Sequence, residues 1–190
     1  MKKEILRKTF HVLFGLFFLG LIYFLGAELS LQIITGLFIV GLIIALLHKK
    51  NIKIPLLERI IISVEREHEK HFPGKAALLF FLATIILLYF FGNFLQIVYV
   101  SLLVQIFADT FAAIIGKKFG KHKILEKEHY TKTLEGTIAC FIVALLILIL
   151  FFSWEIALIG AIVATTIEFA PINDNLFIPL GLGVLLKLLI

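Results

Sequence analysis

Residues 95–123 read LQIVYVSLLVQIFADTFAAIIGKKFGKHK, and their pattern decides the fold. From Leu95 to Gly116 the run is apolar and meets the roughly 20 residues that a helix needs to cross a bilayer. Asp109 lies inside that run, about two helical turns before its end, with Gln105 one turn away on the same face. A charge in hydrocarbon is costly, so Asp109 is expected to face a protein interior or an aqueous cavity. The loop Gly116-Lys117-Lys118-Phe119-Gly120-Lys121-His122-Lys123 follows at once. Its glycines admit close backbone approach and its lysines supply positive charge. The stretch therefore predicts a helical membrane protein with a polar site at one face.

Outward from this span the composition agrees. The chain is 61% hydrophobic and 16% charged, against roughly 25% charged residues in an average soluble domain. Apolar runs at Thr9–Gly26, Ser30–Leu47, Lys75–Gly92, Leu95–Gly116, Thr137–Phe152, Glu155–Ala170 and Asn175–Ile190 predict an all-α polytopic integral membrane protein of about seven transmembrane helices. The last run carries Pro179, Gly181 and Gly183, so six spans and a re-entrant end form the alternative. Between Asn51 and His71, Ile54, Leu57, Ile61, Val64 and His68 recur at helical spacing among charged residues, and Pro73-Gly74 follows. This segment predicts one amphipathic helix lying in the cytoplasmic interface. No internal repeat or low-complexity linker appears, and residues 1–190 are expected to form a single domain. The first run lacks a small-residue cleavage site and reads as a retained helix. Cys140, the single cysteine, lies in an apolar run and has no disulfide partner.

Charge placement orients the spans. Seventeen of the eighteen Lys and Arg residues precede the first run or lie in the segments 49–75 and 117–132, whereas the turns near residues 27–29, 93 and 153–154 carry none. The positive-inside rule then puts the amino terminus and both long loops in the cytoplasm. Lys187, the exception, can snorkel to the outer interface. A multi-pass protein of the plasma membrane in a prokaryote is expected, and the basic pI is a topological signature rather than a sign of nucleic acid binding.

Threading this alternation forward returns Glu168 and Asp174 to the face that holds the lysine loop. Asp109, Glu135, Glu168 and Asp174 are the candidate ligands of Mg2+ bridging a nucleoside triphosphate. Lys117, Lys118, Lys121, Lys123 and Lys132 are candidates for gripping phosphate, with Gly116, Gly120 and Gly136 allowing close approach and Thr133 beside them. The spacing is not that of a Walker loop, and no dinucleotide fingerprint occurs. Plainer readings accompany these. Lysines beside a span also serve as topology determinants, Arg7 and His11 at the mouth of the first helix suit an interface anchor as well as a substrate contact, and Gly15, Gly20, Gly36, Gly41 and Gly160 suit helix packing.

Ala108-Asp109-Thr110, the 116–123 loop and Lys132-Thr133-Leu134-Glu135-Gly136-Thr137 together resemble the nucleotide-site signature of the CTP-dependent polyprenol kinases, a family that includes dolichol kinase, phytol kinase and a CTP-dependent diacylglycerol kinase. Related signatures occur in phosphatidate cytidylyltransferases. Arg7-Lys8-Thr9-Phe10-His11, the stretch from Glu65 to Gly74, and Glu168 with Pro171 to Pro179 are similar to the kinase branch. The Pro-Gly-His-Gly-Gly pattern of a cytidylyltransferase is missing. The resemblance implies transfer of the γ-phosphoryl group of CTP to a lipid alcohol with Mg2+. On that reading Asp109, Glu135 and Lys132 are the candidate catalytic residues, Arg7 and His11 the candidate lipid contacts, and Asn173 and Asn175 the candidates for reading the base. A CDP-lipid synthase is the alternative that shares the triphosphate site. A transporter and a lipid-binding scaffold are the non-catalytic ones.

Overall fold

The computed structural model describes residues 2–50, 52, 72, 74–127 and 130–190. The described helices are α1 (Lys2–Lys49), α2 (Lys75–Phe91), α3 (Leu95–Phe119), α4 (Leu134–Ile149), α5 (Trp154–Phe169) and α6 (Asp174–Leu189), with strands β1 (Lys123–Lys127) and β2 (Tyr130–Thr133) between α3 and α4. Each of the seven apolar runs coincides with a helix, or with half of α1, apart from up to three residues at its carboxyl end. The expected interfacial helix at residues 51–71 lies outside the described residues.

The first two runs share α1, which breaks at Gly26 (φ 74°, ψ 179°). Positive φ with extended ψ is open to glycine and strained for other residues, so the chain changes direction there. Packing partners give the sense of the change. A Cβ on Gly41 would meet Leu78 at 3.3 Å and one on Gly92 would meet Ala27 at 3.2 Å, so the second half of α1 runs antiparallel to α2. The first half lays Gly15 against Ile106 and Lys8 against Asp109, antiparallel to α3. Because α2 and α3 are themselves joined by a short turn, the two halves of α1 form a helical hairpin.

α3 is the axis of the bundle. One of its faces, with Val100, Val104 and Ala108, packs on Cys140, Ala144 and Leu148 of α4 and on Ile178 and Leu182 of α6, and α5 joins the same core through Ala161 and Ala164 by packing on α4 and α6. Another, with Val98, Leu102 and Ile106, meets Phe18, Ile22 and Ile34 of α1 and Phe80 and Leu87 of α2. Small residues let the helices approach closely where apolar surface alone gives no advantage over lipid: a Cβ on Gly160 would stand 2.8 Å from Leu148. Gly15 and Gly41 serve packing in the same way, whereas Gly20 and Gly36 face open space.

Two sequence expectations change. The fold is predominantly helical rather than all-α, because residues 123–133 pair as an antiparallel hairpin, Leu125 opposite Lys132 and Glu126 opposite Thr131, with an irregularity between Lys123 and Leu125. This segment has no 3.6-residue apolar period and carries the β-branched Ile124, Thr131 and Thr133, which favour extended backbone. The presumed loop also begins later than Gly116: α3 continues through Lys117, Lys118 and Phe119 and ends at Gly120, whose N–H reaches the Gly116 carbonyl at 3.1 Å. Pro179 does not interrupt α6, where it is buried. α1 and α3 are the described helices long and apolar enough to cross a membrane. α4, α5 and α6 have 16 residues each, about 24 Å at 1.5 Å per residue.

The exposed Tyr23, Phe24, Tyr89, Phe90 and Trp154 gather at the turns remote from Asp109, where aromatic side chains suit a membrane–water boundary. The orientation is checked with single cysteines at Lys50, His122 and Asn93 in a Cys140→Ser background, all three positions being exposed. With intact cells, an impermeant thiol reagent is expected to label the Asn93 position alone; external labelling at His122 would reverse the assignment.

Candidate active site at the charged end of the bundle

Asp109 is 3% exposed and sits midway along the helix against which α1, α2, α4 and α6 pack. A carboxylate there needs a cation, and α1 supplies it: Lys8 Nζ donates to Asp109 Oδ2 at 2.5 Å, with the Lys8 side chain itself 3% exposed. His11, one turn further along α1, places Nε2 3.7 Å from the same oxygen and its ring edge-on to Phe80. Arg7, on the adjoining face, pairs with Glu4, and Lys117 approaches Glu4 from the end of α3 at 3.6 Å.

The second half of the site comes from the other end of the chain. Glu168, at the last turn of α5 and 5% exposed, pairs with Lys132 of β2. Asp174 opens α6 and accepts from the Asn175 backbone N–H at 3.0 Å. Asn175 Oδ1 accepts from Gln105 Nε2 at 2.9 Å, which ties α6 to α3 one turn from Asp109. The halves act on each other electrostatically: Asp174 interacts with Asp109, Lys8, Lys132 and Arg7. Lys132 lies outside the helices. Burial pushes its pKa down, but Glu168, and after it Asp174, more than offset this and hold it above the ordinary lysine value, so the ammonium stays charged at neutral pH.

The sequence candidates thus divide into two groups. Asp109, Glu168, Asp174, Lys132, Arg7, His11 and Asn175 converge. Lys118, Lys121 and Lys123 remain exposed; Lys118 lies 5.0 Å from the Phe119 ring centroid and Lys123 pairs with Glu126 at 2.7 Å. Asn173 is the N-cap of α6 and its Oδ1 is buried with no hydrogen-bond partner among the described residues. Glu135 stands apart from the other acids: its carboxylate accepts from the backbone N–H of Lys121 at 3.0 Å and of His122 at 3.3 Å, and meets His122 Nδ1 at 2.9 Å. It holds the turn after α3 in shape.

Gly116, Gly120 and Gly136 spend their close approach on one another and on Thr133. A Cβ on Gly120 would fall 2.1 Å from the Gly116 carbonyl oxygen, and one on Gly136 would fall 3.1 Å from Gly116 Cα. Thr133 caps α4, its hydroxyl accepting from the Gly136 N–H at 3.2 Å. These residues dock α4 and the hairpin onto the end of α3, and so deliver Lys132 to Glu168. Lys8 and Glu4 are the site residues that sequence reasoning left out. The available signal was the i, i+3 spacing of Glu4 with Arg7 and of Lys8 with His11, read together with the need of Asp109 for a cation.

Fold and site together define a helical membrane protein with a buried ionic centre at one end of its bundle. A sequence model of the Cytidylyltransferase family matches residues 1–181, and the chain belongs to that family, whose members are transferases of the CTP-using kind. It is also similar to the uncharacterized protein MJ1137 of Methanocaldococcus jannaschii, with 31% identity over 180 residues that cover 93% of this chain and 89% of the relative. No solved structure matches.

Breaking a buried ion pair strands a charge, which costs about 3–5 kcal/mol, whereas replacing both partners by apolar groups is often nearly neutral. Lys8→Met is therefore expected to lower thermal stability in detergent sharply, and Lys8→Met with Asp109→Leu to recover most of it. Equal loss in the single and double variants would show that the pair is not what the helices depend on.

Proposed function

We propose that the protein is a CTP-dependent lipid kinase that transfers the γ-phosphoryl group of CTP to the hydroxyl of a polyprenol, another isoprenoid or a related lipid alcohol. One observation carries the reading: Arg7 to His11 and Glu168 to Asn175, the segments that resemble the kinase branch, are the ones that close around Asp109. The acceptor oxygen forms a bond to the γ-phosphorus as the bond to the β,γ-bridging oxygen breaks. CDP leaves with that electron pair, and the hydroxyl proton passes to a carboxylate, for which Asp109 is the candidate at the bilayer side of the cluster. Such a transfer is governed mainly by positioning and charge neutralisation. Lys132 and Arg7 are the cations placed to draw charge toward the leaving diphosphate.

Magnesium fits the donor chemistry. Among the described residues no three His, Cys, Asp or Glu side chains gather closely enough to hold a metal. That suits an ion that takes one or two carboxylates and completes its shell with substrate phosphate and water. Glu168 Oε2, buried with no hydrogen-bond partner among the described residues, and Asp174 would hold it. When bound, the ion neutralises charge on the phosphates. Glu135, engaged by the 121–122 turn, supports the loop instead.

The family's own description favours a second reading, in which a lipid phosphate attacks the α-phosphorus and pyrophosphate leaves. Purified protein supplied with α- or γ-labelled CTP, Mg2+, lipid alcohols and phosphatidic acid separates the two. Label from the γ-phosphate is expected on the lipid, with CDP accumulating; α-label on the lipid with pyrophosphate release would make the protein a CDP-lipid synthase. Lys132→Ala and Glu168→Gln are each expected to reduce turnover a hundredfold or more, about 3 kcal/mol of transition-state stabilisation, in variants that still elute as folded protein. Near-normal turnover in both would remove the cluster from the chemistry.

A further inference from the structure

Beside the buried pair lies a groove of about 200 Å³ between α1 and α3. Ile5, Thr9, Val12 and Leu13 line it from α1 and Ile114 from α3, and its buried inner end is Lys8 and Thr110. The spacing explains the shape. Residues 5, 8 and 12 recur on one face of α1 and 110 and 114 lie one turn apart on α3, and the Thr110 hydroxyl is turned back on its own helix, donating to the Ile106 carbonyl at 2.6 Å. Ile5 and Leu13, at the mouth, are 46% and 57% exposed, on the apolar flank of helices read as membrane spans. The groove thus runs from that flank to the ammonium that neutralises Asp109.

The geometry points to this groove as the site that takes the hydrocarbon segment next to the hydroxyl of the lipid acceptor, which approaches sideways between α1 and α3. The assignment deepens the lipid kinase reading and rests on it. Three features select this occupant. The space is smaller than the roughly 300–1,000 Å³ of pockets that enclose a drug-sized ligand, so it suits a stretch of chain and not a nucleotide. Apart from Thr9, whose hydroxyl donates to the Ile5 carbonyl at 2.9 Å, its walls are aliphatic, which suits a hydrocarbon. Its buried polar residues, Lys8 and Thr110, stand at the inner end, where the hydroxyl of an amphiphile inserted tail-outward comes to rest beside Lys8, the partner of Asp109. The charged groups of Lys132, Glu168 and Asp174 do not line it, so nucleotide and acceptor approach Asp109 from different sides, as an in-line transfer requires.

The test uses the full-length protein in nanodiscs and a long-chain primary alcohol bearing a diazirine three carbons from its hydroxyl. Photolabelling followed by peptide mapping is expected to mark the segments 5–13 and 110–114, and an excess of unlabelled alcohol to suppress that label while label on the exposed face of α4 around Ile142 and Leu146 persists. Leu13→Trp and Ile114→Trp, which fill the groove, are each expected to reduce the competable label at least fivefold and to raise the KM for the alcohol at least tenfold with the KM for CTP within twofold. Uncompeted label spread over all outward faces would mean bulk lipid and overturn the assignment. So would competable label confined to other helices, or label undiminished in both tryptophan variants. Should a variant fail to fold, the competition map of the unaltered protein decides alone. Competable groove label without phosphoryl transfer to the same alcohol would overturn the kinase reading and leave the groove standing. Phosphoryl transfer without competable groove label would do the reverse.

Discussion

A carboxylate in the middle of a packed apolar helix is tolerated only beside a cation, and the burial of Asp109 against Lys8 is the constraint on which this architecture turns. The two residues lie 101 positions apart, so the pair fixes how the amino-terminal helix lies along α3. Once α1 is there, Gly15 fits over Ile106, His11 meets Phe80, and the cluster of phenylalanines around Phe18 fills the space between α1 and α2. The Gln105–Asn175 hydrogen bond performs the same service for α6. α3 is therefore the element to which polar contacts from both ends of the chain are referred.

The charged residues fall into two populations with different work. Lys118, Lys121 and Lys123 lie in water or in weak surface pairs, where a charge contributes little to stability but does bias insertion. Lys8, Arg7, Lys132, Asp109, Glu168 and Asp174 are withdrawn from water and sit within electrostatic reach of one another. The β-hairpin has a definite part in this. By folding back over the end of α3, under the cap that Thr133 makes with Gly136, it carries Lys132 inward to Glu168 while leaving Lys123 outside. Glycines that looked like a cradle for phosphate are the contact surface that makes this docking possible.

Membership in the Cytidylyltransferase family implies the use of CTP and leaves the reacting phosphorus open. That choice belongs to what stands next to Asp109. An acceptor presented from the α1–α3 flank and a nucleotide held from the side of α5, α6 and β2 would meet across one buried carboxylate. Chain termini that are remote in sequence would then be adjacent in chemistry.

Helix positions were legible in the sequence because a long apolar run satisfies its own backbone most simply as a helix, and Asp109 was conspicuous because an acid inside such a run demands explanation. The convergence of Glu168 and Asp174 with Asp109 also followed from counting spans and placing lysines. The identity of the cation opposite Asp109 was not legible, since Lys8 is one of four basic residues before the first run and only packing selects it. The same holds for Glu135 and for Gly116, Gly120 and Gly136. Their types and spacing suit phosphate and metal, but a carboxylate near free N–H groups and glycines near another backbone are used by whichever neighbour arrives first, and here those neighbours are the chain's own turn and helix end. Sequence by itself determined where the described helices lie and which end of the bundle is charged. Tertiary structure decided which charges face one another, because that depends on contacts between residues a hundred positions apart, which no local pattern encodes.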